Sequence, residues 1–200
     1  MSKKYIAEFI GTFTLSFIVL LAVSFSGNLP LAVPLIASLT LALFVYTIGP
    51  FSGCHINPAV TLGQLSVDKI SRPEAINYII AQLLGGAGAL FVAKMFVVTT
   101  ALSVGDFSIL VFLAEMLGAF LFNFGIAAFV YGKVKDQMSG LVVGGSLLLG
   151  VMVASFTGAN GILNPAVAIA LNSLNIVYGL APIAGSILAF KAYRFLSASK

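Results

Sequence analysis

The tripeptide Asn-Pro-Ala occurs twice in this chain, as Asn57-Pro58-Ala59 and as Asn164-Pro165-Ala166. Each copy stands between a glycine-bearing loop and a short apolar run. The loops are Gly53-Cys54-His55-Ile56 and Gly161-Ile162-Leu163. Asparagine is a strong helix N-cap, and proline fits the first helical position because an N–H there has no partner in any case. The pattern therefore predicts two short helices, over 57–65 and 164–171. Each would span only about 12–14 Å, roughly half the hydrocarbon core of a bilayer.

Composition places these half-length helices in a membrane. Of the 200 residues, 60% are hydrophobic and 8% are charged, whereas a soluble domain carries roughly 25% charged residues. Six apolar segments are long enough to cross, or nearly so: 5–25, 31–48, 76–98, 109–131, 140–156 and 176–196. The connections 26–28, 99–108 and 132–139 are brief. The Asn-Pro-Ala stretches fill the gaps after the second and fifth segments. They are too apolar for aqueous loops and read as re-entrant segments buried in protein, where irregular backbone is tolerated at membrane depth. Lys3 and Lys4 precede an apolar run too long for a signal peptide, so the first span is retained. A single cysteine, Cys54, excludes an intrachain disulfide and offers no metal-ligand cluster. The net charge of +4 is small and carries no nucleic-acid footprint. No cofactor is implied.

Basic residues set the orientation. With six spans, Lys3, Lys4, Lys69, Arg72, Lys133, Lys135, Arg194 and Lys200 all fall on one side. The opposite loops carry Asp106 and no lysine or arginine. By the positive-inside rule both termini are cytoplasmic, in a multi-pass protein of the cell membrane. Lys94 and Lys191 lie within apolar segments. They are pore or gate charges, or they snorkel to the nearer interface; the latter is the preferred reading. Glu8 and Glu115 also lie within apolar spans, where an ionisable group is expensive.

The chain also repeats itself. Ala7-Glu8-Phe9-Ile10-Gly11-Thr12-Phe13 matches Ala114-Glu115-Met116-Leu117-Gly118-Ala119-Phe120 at an offset of 107 residues (115 − 8), and the two asparagines have the same offset (164 − 57). Three spans per copy is an odd number, so the second copy enters from the opposite face. The expectation is an all-α membrane protein forming one domain over 1–200. It has six transmembrane helices and two re-entrant half-helices in an inverted 3+3 repeat, about 1–100 and 108–200. The half-helices then meet tip to tip, with their positive ends at the midplane. Glycines in the third to sixth spans favour close helix packing.

The duplicated Asn-Pro-Ala, the Ala-Glu-x-x-Gly-x-Phe openings and the span count resemble the aquaporin/aquaglyceroporin (major intrinsic protein) family. The resemblance covers essentially the whole chain. Ser52-Gly53-x-His55-x-Asn57-Pro58-Ala59-Val60-Thr61 is similar to the family's first half-helix motif, and Pro182-Ile183-x-Gly185 to its sixth span. The resemblance implies a homotetramer in membrane lipid, one pore per subunit, and passive flow of water or small neutral solutes. It implies that Asn57 and Asn164 aim N–H donors into the pore. It implies that carbonyls of Gly53, Cys54, His55, Asn160, Gly161 and Ile162 line the path. It makes Glu8 and Glu115 braces for the re-entrant loops; a proton relay is the other reading of these two. His55 falls near the cytoplasmic mouth, as a pH-sensitive pore residue or as a packed loop residue.

One departure is informative. The family's outer filter normally includes an arginine directly after the second Asn-Pro-Ala, and here that residue is Val167. The corresponding filter positions are Ala37, twenty before Asn57, Met152, twelve before Asn164, and Gly161, three before Asn164. Such a filter has no cation and no ring. It implies a wider, less polar constriction, open to water and to uncharged solutes such as glycerol, urea, ammonia, peroxide or neutral metalloids. A strict water channel is the alternative. A secondary transporter would need a coupling site at Glu8 or Glu115, and a non-conducting scaffold would need a docking surface that short outer loops do not provide. An enzyme would need a nucleophile–base pair, and none is visible, so no catalytic residue is assigned. Cys54 precedes Asn57 as Gly161 precedes Asn164. It is therefore expected to face the pore and confer block by mercurials.

Overall fold

The structure, a computed structural model, describes residues 2–25, 32–98 and 107–198. The connection 26–28, Leu31, most of 99–108 with Asp106, and Lys200 lie outside the described residues. The described chain folds into helices α1 (Lys3–Phe25), α2 (Ala32–Thr47), α3 (Gly49–Ser52), α4 (Pro58–Leu65), α5 (Arg72–Ala93), α6 (Ile109–Val130), α7 (Ser139–Phe156), α8 (Pro165–Ala170) and α9 (Ile176–Ser197). Helices α1, α5, α6, α7 and α9 are long and apolar enough to cross a membrane, α7 together with a preceding 3-10 turn, Asp136–Met138. Helix α2 is a shorter apolar helix of 16 residues. It stops at Thr47 because Pro50 follows closely. Proline cannot donate to the helical ladder. The chain resumes as the single turn α3, with Pro50 in its first turn.

Local sequence explains most boundaries. Ser71 caps α5 through Glu74 N–H at 3.4 Å. That cap starts the helix at Arg72, earlier than the apolar run at 76. The same helix ends at Ala93 with Lys94 as its C-cap, so residues up to 98 form turns rather than helix. Ser108 caps α6 through Val111 N–H, and Asn175 caps α9 through Tyr178 N–H.

Helix α1 packs on α5, α6 on α9, and α2 on α7. The half-helices cross over: α4 packs on α9 of the second copy and α8 on α5 of the first. These crossings need glycine. A methyl at Gly86 would overlap the Ala166 carbonyl of α8, and one at Gly63 would overlap Ser186 and Phe190 of α9. Gly118 of α6 and Gly150 of α7 each stand against the other's carbonyl. Without Cβ atoms the backbones reach van der Waals contact, the main attraction available to helices in lipid.

The basic residues gather at one end. Lys4 Nζ bonds Glu74 at 2.6 Å, Arg194 faces Asp68 at 3.7 Å, and Lys69 Nζ lies 4.5 Å above the Tyr131 ring. Lys94 and Lys191 are exposed.

Candidate functional site

The two half-helices begin side by side. Asn57 has extended backbone, and its Oδ1 accepts the Ala59 N–H at 2.8 Å. Asn164 is likewise extended, and its Oδ1 accepts the N–H groups of Ala166 at 3.0 Å and Val167 at 3.4 Å. Capping consumes the carboxamide oxygens and so fixes where the NH2 groups point. Asn57 Nδ2 donates to the Leu163 carbonyl at 3.0 Å, and Asn164 Nδ2 donates to the Ile56 carbonyl at 3.0 Å. Each asparagine thus clamps the loop of the other copy. One N–H of each carboxamide is used in this way, and both residues line a cavity.

The loop residues between are held from behind. Ile56 and Leu163 both have left-handed backbone, with φ of 37° and 54°, a conformation in which a β-branched residue such as isoleucine is strained. Glu8 and Glu115, both fully buried, hold that geometry. Glu115 accepts the N–H groups of Ile162 at 3.0 Å and Leu163 at 2.9 Å. Glu8 accepts those of His55 at 2.9 Å and Ile56 at 2.6 Å. Gly11 and Gly118 leave room for the Ile56 and Leu163 side chains. A buried carboxylate is tolerable only with such donors around it.

The two copies are not equal. Glu8 also accepts from Ser52 Oγ at 2.7 Å and Gln82 Nε2 at 2.7 Å. Gln82 continues to Thr61 Oγ1 at 3.0 Å, which meets His55 Nδ1 at 3.1 Å. His55 also packs edge-on against Tyr78, with ring centroids 5.1 Å apart. The sequence reading missed Ser52, Thr61 and Gln82 as partners, since nothing in their spacing marks them. Tyr78 and Tyr178 were also missed, although a signal existed. Tyr78 Oη donates to the Ser52 carbonyl at 2.8 Å, and Asn160 Nδ2 donates to Tyr178 Oη at 2.9 Å. These tyrosines are 100 residues apart (178 − 78), as are Gly85 and Gly185, which occupy matching contacts on α1 and α6. The offset of 107 therefore falls by seven after the half-helix (107 − 100).

The cavity beside the asparagines has a volume of about 330 Å³. It runs from His55, Ile56 and Asn57 towards Val23 near the end of α1 and Val33 near the start of α2, away from the basic end. Ala37, Gly161 and Val167 line it, with Asn160 and Ile162. Met152 does not; α7 presents Leu147, Val151 and Ser155 instead. These three recur every four residues, one face of the helix, and Met152 is turned about 100° from Val151. Gly161 explains the register: it has φ of 66°, and a methyl there would press on Ser155 Oγ and the Val151 carbonyl. Gly53 and Cys54 do not line the described cavity either. Cys54 has φ of 53°, and its Cβ faces Gly49 of α3. The thiol is buried in the apolar core and is not part of the arm of the lumen that this cavity describes. Lys94 and Lys191 are likewise absent from the lining.

This arrangement has relatives. The chain matches the family model described as Major intrinsic protein over residues 1–193. It is 30% identical to Aquaporin AqpM of Methanothermobacter thermautotrophicus, over 98% of each chain. It is 37% identical to Glycerol uptake facilitator protein-like 6 of Lactiplantibacillus plantarum, over 94% of each. The crystal structure of the aquaglyceroporin from Plasmodium falciparum is similar in fold, with a TM-score of 0.75 and 22% identity over 95% of this chain and 94% of that one. With two capped half-helices, cross-clamped asparagines and a match over nearly its whole length, the chain belongs to the major intrinsic protein family of aquaporin and aquaglyceroporin membrane channels.

Proposed function

We propose that this chain is a passive channel for water and small uncharged solutes, with an outer filter formed by Ala37, Val151, Gly161 and Val167. Glycerol, urea, ammonia, hydrogen peroxide and neutral metalloid hydroxides are the solutes in range. The carrying observation is that, among the described residues, no charged side chain lines the cavity beside the asparagines, and that Val167 lines it directly after the second Asn-Pro-Ala.

The mechanism follows from the donors. Each carboxamide keeps one N–H after bonding the opposite loop. A water accepting from Asn57 or Asn164 turns its oxygen towards them, so its own hydrogens point away along both arms of the lumen. A proton-conducting wire of like-oriented waters is then interrupted. The N-termini of α4 and α8 add positive potential at the same place, which repels cations. With valine in place of a filter arginine, proton exclusion rests on this pair of helix ends. A proton-coupled transporter fits less well, because Glu8 and Glu115 are committed to loop N–H groups.

The chain would work as a single domain built of repeats about 1–100 and 108–200, in the cell membrane with both termini cytoplasmic, and as a homotetramer with one pore per subunit. Native mass spectrometry in mild detergent tests the last point, where a monomer alone would refute it. Stopped-flow volume changes of proteoliposomes, with water, glycerol and urea gradients side by side, test the function. Fast flux of all three is expected, and Val167→Arg should narrow it. Water flux alone would instead identify a strict water channel.

A further inference from the structure

The start of α5 joins a charged recess to an exposed aliphatic row. The recess, of about 540 Å³, lies at the basic end and is lined by Asp68, Lys69, Ser71, Arg72 and Glu74. Lys4 and Arg194 reach its two carboxylates, Glu74 and Asp68. Lys69 lies over the Tyr131 ring, and Arg72 makes no ion pair among the described residues. The positive charge of Lys69 and Arg72 is therefore left over, and the N-terminus of α5 adds positive potential beside it.

Arg72 also heads the row. Ile76, Ile80 and Leu84 follow it at four-residue spacing, and each is more than half exposed. From Arg72 to Leu84 the helix rises about 18 Å, close to the hydrocarbon depth of one leaflet, roughly 15 Å. The inverted repeat supplies a comparison. By the offset of 100, Asn172, Ile176 and Leu180 match Arg72, Ile76 and Ile80 at the opposite end of the molecule. Ile176 and Leu180 are again more than half exposed, but the residue at the head, Asn172, is neutral.

We propose that this face of α5 binds an anionic phospholipid of the leaflet at the basic end. The phosphate lies in the recess between Lys69 and Arg72, and one acyl chain runs along Ile76, Ile80 and Leu84. Basic recesses beside transmembrane helices attract anionic headgroups, and a guanidinium offers phosphate two parallel donors. A zwitterionic lipid fits the row equally well, but its ammonium group meets the excess positive charge. A soluble phosphate fits the recess but gains nothing from the row.

Native mass spectrometry of the purified chain in mild detergent reads the preference, with phosphatidylglycerol and phosphatidylcholine of the same acyl chains as probes. Phosphatidylglycerol is expected to bind about tenfold tighter. Arg72→Asn, which copies the opposite end, and Lys69→Gln should each weaken the preference and together abolish it; each single variant carries the test if the pair does not fold. Lys94→Gln, at the other end of α5, should leave it unchanged. Equal binding of the two lipids, or a preference that survives in both single variants, would overturn the proposal. Glycerol phosphate in large excess should not compete. Displacement of the lipid by it would assign the recess to a soluble anion and overturn the lipid site. Ile80→Asn should weaken both lipids alike. If it instead dissociates an oligomer and leaves lipid binding intact, a second copy of the chain covers this face and the proposal fails.

Discussion

At the scale of single residues, the site depends on groups that have no freedom to change. Glu8 receives four hydrogen bonds, two at each oxygen, and Glu115 receives a loop N–H at each oxygen. Replacing either with glutamine turns an amide NH2 towards donors. A buried donor left unpaired costs about 1–3 kcal/mol. Glu8→Gln is therefore expected to lower the unfolding temperature in detergent more than Glu115→Gln, and equal shifts would contradict the asymmetry of the two copies. Gly161 combines a left-handed backbone with close contact to α7, whereas Gly145 has open space around its Cβ direction. Gly161→Ala should destabilise by about 1–3 kcal/mol or more, while Gly145→Ala should be tolerated, as a thermal shift of the purified variants would show. Cys54 is buried in the apolar core, so mercurial treatment should leave water flux unchanged in the native chain as well as in Cys54→Ser. A block abolished by that substitution would return the thiol to the pore wall.

At the scale of elements, the inverted repeat explains why some buried hydroxyls lack partners. Asn123 of α6 accepts from Ser186 of α9 at 2.7 Å. By the offset of 107, Ser16 of α1 matches Asn123, and by the offset of 100, Gly86 of α5 matches Ser186. Gly86 has no side chain because α8 crosses there, so Ser16 Oγ is fully buried without a partner, as is Thr12 Oγ1. Ser16→Ala is expected to be neutral or stabilising, since it removes an unpaired buried polar group. Ser186→Ala should cost about 1 kcal/mol by leaving Asn123 short of a donor. Guanidinium or detergent-challenge unfolding of the two variants would separate them, and the reverse order would refute the proposed correspondence. Gly86→Ala should be worse than either, because its methyl would enter the Ala166 carbonyl.

At the scale of the molecule, the two copies are interlocked rather than adjacent. Each half-helix packs on the last helix of the other copy, and each asparagine bonds the other loop. Cooperative loss of both half-sites is the expected consequence of damaging either one. The ionic contacts at the basic end contribute little to this. The Lys4–Glu74 and Arg194–Asp68 pairs are exposed, and exposed pairs are screened by salt. Raising salt to about 1 M, where the screening length is roughly 3 Å, should leave the unfolding temperature nearly unchanged. A large drop would mean that the basic end carries more of the stability than its geometry suggests.

What could be read from the sequence was local or periodic. Caps and prolines set the starts of α4 and α8, because capping is decided within four residues. Hydrophobicity set the crossing segments, and the 107-residue offset exposed the inverted repeat and the paired glutamates. Filter candidates on the loops, Gly161 and Val167, line the cavity because they travel with the Asn-Pro-Ala motif. The α7 candidate did not follow, because which face of an evenly apolar helix turns inward is not written in its pattern. Contact with Gly161 decided it in favour of Val151, and neighbouring residues on a helix point about 100° apart. The left-handed backbone of Cys54 is likewise announced by no spacing. Ser52, Gln82, Tyr78 and Tyr178 joined the site only when the helices packed, since their partners lie tens of residues away. Sequence thus determined the repeat, the half-helices and the buried charges, each set by short-range chemistry or matched spacing. Tertiary packing alone decided the rotation of each helix, and with it which side chains a solute meets.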